Sequence, residues 1–124
     1  MAKHRTILVL GSNYDPKRNL MTARRALEKV MDMEFTTSAL WSDPTEGYGP
    51  QYLNCLVVGY TKHTLPTFCR ALKYVERECG DKRAERTINH VHIDIDVLLY
   101  DDIKCHEADW EHAYIKNLLR LLPK

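Results

Sequence analysis

His90-Val91-His92-Ile93-Asp94-Ile95-Asp96-Val97-Leu98-Leu99-Tyr100 is the stretch whose reading decides the fold. Side chains along a strand alternate faces with a period of two. His90, His92, Asp94 and Asp96 therefore share one face, and Val91, Ile93, Ile95 and Val97 share the other. A strand with one apolar and one polar face belongs to a sheet covered on one side only. Upstream, Thr6-Ile7-Leu8-Val9-Leu10 is a continuous β-branched and apolar run that stops at Gly11, the pattern of a central strand buried on both faces.

The segments between them alternate in type. Asp15-Pro16 offers a cap and a first helical residue, and Leu20, Ala23, Leu27 and Val30 keep a helical period over 16–31. Residues 34–42 alternate as a strand, 43–51 hold two Pro and two Gly and read as a loop, and 52–61 are strand again. Thr64 and Pro66 open a second helix with the stripe Leu65, Phe68, Leu72 and Val75, and Gly80 stops it. The polar run 81–89 is a loop, and 107–122 carries a helical pattern through Trp110, Tyr114, Leu118 and Leu121. The order β-α-β-β-α-β plus a C-terminal helix predicts one α+β domain over 1–124. Its architecture is a ferredoxin-like βαββαβ: a four-stranded antiparallel sheet with both helices on one face, leaving the other face to carry a site.

Composition narrows the function. Lys plus Arg is 18 against 17 Asp plus Glu, so the chain lacks the basic excess of a nucleic-acid binder. No apolar run approaches the roughly 20 residues that span a bilayer. The N-terminal Met-Ala-Lys-His-Arg leads straight into a strand-like run, so the expected compartment is the cytoplasm. Cys55, Cys69, Cys79 and Cys105 form no Cys-x-x-Cys pair and read as free thiols, with Cys55 and Cys69 inside apolar patterns.

Asp94 and Asp96 carry the chemistry. Their Cα atoms lie ~6.5 Å apart along a strand. Like charges that close repel in a dry site, and a divalent cation between them removes the conflict. Hard oxygen ligands favour magnesium or manganese, and a carboxylate pair can hold two such ions ~3.5–4 Å apart against a polyphosphate. The same alternation also describes any strand with one solvated face. His90 and His92 with Asp94 make either a transition-metal set or more solvated face. Tyr52 and Asn54 suit a flat heteroaromatic ligand by stacking and hydrogen bonding, or are a strand-edge aromatic and a turn residue. Lys82, Arg83 and Arg86 clamp phosphates or form a solvated loop. Gly11-Ser12-Asn13 lacks the spacing of a phosphate loop.

Together, Leu10-Gly11-Ser12-Asn13, Asn19, Tyr52-Leu53-Asn54, Glu76 with Gly80, and Ile93 to Tyr100 resemble the 6-hydroxymethyl-7,8-dihydropterin pyrophosphokinase family of folate biosynthesis over roughly residues 6–102. The resemblance implies transfer of pyrophosphate from ATP to the pterin hydroxymethyl group, leaving AMP. It implies two magnesium ions on Asp94 and Asp96, with Asp96 nearest the pterin hydroxyl and Arg83 completing the catalytic set. Tyr52, Asn54, Pro44 and Gly47 would hold the pterin. Glu76, Lys82, Arg83, Arg86, His112 and Arg120 would hold ATP. The partners are these small molecules, with neither nucleic acid nor membrane. In register, however, the family's arginine after the glycine falls on Asp81, its tryptophan on Ile88, and its arginine and threonine before the first aspartate on Val91 and His92. A later arginine falls on Leu118, near Arg120, and His112 answers to a histidine of the family's tail. Losing one charge-stabilising donor in a dry site costs ~3 kcal/mol of barrier. The alternative is therefore a weak or inactive paralogue that binds pterin, nucleotide or metal.

Overall fold

Because Thr6–Leu10 is apolar on both sides, it can only be satisfied between two layers, and the computed structural model puts it there. The structure describes residues 2–44, 47–80, 82 and 88–123. Strand β1 (His4–Ser12) lies at the centre, antiparallel to β4 (Tyr52–Thr61) on one side and β5 (Asp94–Tyr100) on the other. Beyond β4 come β2 (Asp32–Thr36) and β3 (Leu40–Ser42), and beyond β5 the short β6 (Ile103–Lys104). Helix α1 (Pro16–Leu27) follows β1 and α2 (Leu65–Glu78) follows β4. A 3₁₀ turn (Glu107–Glu111) leads into α3 (Ala113–Leu119). No helix among the described residues is long and apolar enough to cross a membrane.

Among the described residues the sheet thus has six antiparallel strands where four were expected. The strand foreseen over 34–42 is divided at Thr37: its N–H still donates to Leu56 O (3.0 Å), but its Oγ1 replaces the carbonyl, accepting from Leu56 N (2.9 Å) and donating to Ser38 O (2.9 Å). A side chain there does the work of a backbone group, and β3 restarts three residues on. On the opposite edge, the chain turns back after Tyr100 and adds β6.

Helices α1 and α2 cover one face. Leu20, Ala23, Leu27, Phe68, Leu72 and Val75 pack there on Leu8, Leu10, Cys55, Val57, Ile95 and Val97. The other face is not left free along its length. Ile7, Val9, Leu56, Val58 and Leu98 form a second core that α3 closes with Ile115 and Leu118. Strand β5 reaches this core through an irregularity in its register. Val97 pairs with Leu8 and Leu99 with Ile7, so Leu98 is an extra residue. Such a bulge breaks the strict alternation: Leu98 keeps the second face, fully buried, Leu99 joins it there, and Tyr100 returns to the first. Among the cysteines, Cys55 and Cys79 are buried, but Cys69 is exposed, correcting its assignment to an apolar pattern.

Candidate active site

The uncovered part of the second face holds a cavity of about 280 Å³. Three strands build its floor. Gly11 of β1 stands opposite Asn54 of β4 and Asp94 of β5, and Val9 stands opposite Asp96. Asp94 and Asp96 project into it while Ile93, Ile95 and Val97 are buried on the helix side. Tyr52, Ser42 and Asp43 line one wall, Asn89 and Val91 another, and Tyr114 of α3 reaches in from the side. Gly11 is required by close approach: a Cβ there would come within 2.9 Å of Asn54 Oδ1. Asn54 is buried, and its Nδ2 donates to Ser42 Oγ (2.8 Å) and Leu40 O (3.2 Å). The end of β3 therefore fixes this carboxamide, with its oxygen on the Gly11 side.

Negative charge is concentrated here. Burial pushes the Asp96 carboxyl up to about 6, and the neighbouring Asp94 charge adds to the shift. His106, whose Nε2 lies 3.9 Å from Asp96 Oδ1, opposes it, as does Lys73. Burial also pushes the Tyr114 phenol up to about 12, helped by Asp109, Asp94 and Asp96. A half-buried carboxylate held beside a second one forms a site that gains from a cation. Their donor set, hard oxygens only, fits a magnesium-type ion.

From the other side of β5, Glu76 of α2 reaches the strand edge. Its Oε2 accepts from Ile95 N at 2.7 Å, its Oε1 from Lys73 Nζ at 3.2 Å, and burial raises its pKa. The bond pins the one residue between Asp94 and Asp96, so α2 sets where both carboxylates point.

A family model described as 7,8-dihydro-6-hydroxymethylpterin-pyrophosphokinase (HPPK) matches residues 7–123. The chain belongs to the HPPK family. No curated protein matches it. The family is one of kinase-type enzymes that transfer pyrophosphate in folate biosynthesis.

Of the residues singled out from the HPPK-like sequence, the structure brings Asp94, Asp96, Tyr52 and Asn54 to one cavity. Pro44 and Gly47 close a turn through Gly47 N to Pro44 O (3.0 Å), and the adjacent Ser42 and Asp43 line the cavity in their place. Glu76 braces β5 and does not line the cavity. Lys82 is exposed. His112 caps α3 with its Nε2 3.6 Å from Asp109 Oδ1, and Arg120 is exposed at the end of α3, donating to Asn117 Oδ1 at 3.0 Å. Arg83 and Arg86 lie outside the described residues.

The face that His90 and His92 were expected to share with Asp94 and Asp96 is corrected. Strand β5 begins only at Asp94, so the period-two alternation does not run back through 90–93. Val91 turns into the cavity, both histidine rings stack on Tyr14 at 4.7 Å, and His92 Nδ1 lies 3.3 Å from Cys79 O. Asn13 captures Val91 instead, accepting from its N–H (2.7 Å) and donating to its carbonyl (3.1 Å). Among the described residues, no three His, Cys, Asp or Glu side chains gather into a metal-holding group.

Sequence reasoning missed Tyr114, His106 and Asn89 at the site. Tyr114 falls in a helical apolar stripe and reads as core; nothing in its spacing shows that α3 crosses to the second face. His106 has a left-handed backbone (φ 51°) just before the 3₁₀ turn, which sequence period does not reveal.

Proposed function

We propose that this HPPK-family protein transfers the pyrophosphoryl group of ATP to the hydroxymethyl group of 6-hydroxymethyl-7,8-dihydropterin, releasing AMP. The observation that carries the reading is the meeting of the Asp94–Asp96 pair with Tyr52 and Asn54 around one cavity. Asp94 and Asp96 are the residues that would hold magnesium. When bound, magnesium supplies neutralisation of the polyphosphate charge. Tyr52 offers a ring for the flat pterin, and the fixed Asn54 carboxamide reads its polar edge. Asp96, whose raised proton affinity suits it to a hydroxyl partner, orients the pterin hydroxyl toward the phosphate chain. The protein's work is positioning and electrostatics with little covalent chemistry of its own. Lys82, Arg83, Arg86, His112 and Arg120 are the proposed contacts to ATP, with Glu76 positioning β5 beneath it, and the reaction belongs in the cytoplasm.

The same reading takes the sheet as an elaborated ferredoxin-like core. In support, the strand order is β2-β4-β1-β5-β6, with β2 and β3 both on the outer edge of β4. Counting β2 and β3 as one divided strand and β6 as an addition recovers βαββαβ.

One observation favours a second reading, a pterin- or nucleotide-binding module without transfer. Among the described residues, the cavity is lined by three carboxylates, Asp43, Asp94 and Asp96, and by no lysine or arginine. The test is direct. The protein is mixed with ATP, magnesium and hydroxymethyl-dihydropterin, and AMP is measured by chromatography. AMP formed in step with the pterin pyrophosphate supports the enzyme; pterin binding without AMP supports the module.

A further inference from the structure

Two contacts fix how α2 lies along the outer edge of β5. At one end Glu76 Oε2 accepts from Ile95 N (2.7 Å). At the other, Tyr100 Oη donates to His63 O (2.8 Å), just before α2 begins. Helix and strand therefore run in opposite senses and in a known register. Cys69 precedes Glu76 by two helical turns, so it occupies the same stripe, roughly 10 Å along the axis. The same distance along β5 from Ile95 is about three residues, which reaches Leu98. The residue hydrogen-bonded to Leu98 on that edge is Cys105, through its N–H to Leu98 O at 2.9 Å. Cys105 is half-buried and packs against the rim of the α1–α2 core, as does Leu65, one turn before Cys69. The two thiols thus stand at one level on facing elements. Their electrostatics agree: burial raises the Cys105 thiol pKa, and a Cys69 thiolate raises it further, which requires proximity.

We propose that Cys69 and Cys105 form a redox-responsive pair that closes to a disulfide under a small-molecule disulfide such as oxidised glutathione. The exposed Cys69 reacts first. Its thiolate attacks one sulfur of the oxidant and releases one glutathione thiol. The Cys105 thiolate then displaces the second, so the Cys69–Cys105 bond forms, the oxidant is reduced to two thiols, and the two cysteine protons pass to them. Cys55 and Cys79 are buried and take no part. The bridge would tie α2 to the segment just before His106 and the 3₁₀ turn, beside the acidic cavity. A bridge in a reducing compartment is regulatory rather than constitutive.

The test uses the full chain, reduced, desalted and incubated with oxidised glutathione, then digested without reductant for mass spectrometry. The expected result is a Cys69–Cys105 linked peptide, loss of two of the four free thiols, and a urea unfolding midpoint shifted upward and restored by dithiothreitol. Cys69→Ser and Cys105→Ser should each lose the linked peptide and the shift. Glutathione adducts on separate cysteines, a bridge to Cys55 or Cys79, or a bridge between chains would overturn the proposal.

Discussion

Replacing Asp96 by Asn should make the metal-free protein more stable at neutral pH while removing its magnesium response. The Asp96 carboxyl is raised from 3.8 to about 6, first by burial and then by Asp94. A group raised in the folded state stabilises the fold while protonated. Its contribution is full below the unfolded value and is lost as pH climbs through about 6. At 1.36 kcal/mol per unit, a shift of about two units corresponds to about 3 kcal/mol. The side chain is 31% exposed, and His106 and Lys73 oppose Asp94 and Asp109 around it. Solvent screening then leaves about 1–2 kcal/mol. Asn keeps the shape and carries no charge. Urea unfolding in EDTA should show wild type and Asp96→Asn within error of each other near pH 4. At pH 8 the variant midpoint should lie about 1 M higher. Adding magnesium should raise the wild-type midpoint, because the ion binds only the folded form, and leave the variant unmoved. A variant no more stable than wild type at pH 8, or a gap that does not change with pH, would refute the strained carboxylate pair.

Three further outcomes follow from the same geometry. Gly11→Ala should cost about 1–3 kcal/mol of stability by overpacking against Asn54 and weaken pterin binding in calorimetry; unchanged affinity would remove Asn54 from the pocket. Glu76→Ala should cost about 1–3 kcal/mol, since Ile95 N–H loses its partner at a buried helix–strand contact. Chemical denaturation reads this, and a neutral result would mean that α2 does not brace β5. Tyr52→Ala should weaken pterin binding by about 1–3 kcal/mol, the size of a lost aromatic stack, and an unmoved dissociation constant would misplace the ring.

What the sequence made legible was whatever depends on local period. β1 reads as a buried central strand because its run is apolar without alternation, and the α2 stripe of Phe68, Leu72 and Val75 is the stripe that packs. The Asp94–Asp96 parity survives because β5 starts at Asp94 and its bulge comes only after Val97. What failed depends on single side chains acting as backbone. Thr37 divides a strand, Asn13 holds Val91 outside one, and neither substitution alters the polar–apolar pattern. The placement of α3 is a long-range matter: its apolar residues fit either face, and the surface it chooses, Ile7, Val9, Leu56, Val58 and Leu98, is assembled from three strands distant in sequence.

That choice links the second core to the site. Under strict alternation Leu98 and Tyr100 would both follow Asp94 and Asp96 onto the second face; the extra residue leaves Leu98 there, adds Leu99 beside it and returns Tyr100 to the α1–α2 core. Helix α3 buries Ile115 and Leu118 in one cluster with Leu98, Ile7, Val9, Leu56 and Val58, which brings Tyr114 to the cavity that holds the carboxylates. The covered end of the face turns an exposed acidic strand into a walled cavity. The burial that raises Asp96 is then a consequence of where α3 docks, on the apolar end of the face whose other end carries the carboxylates.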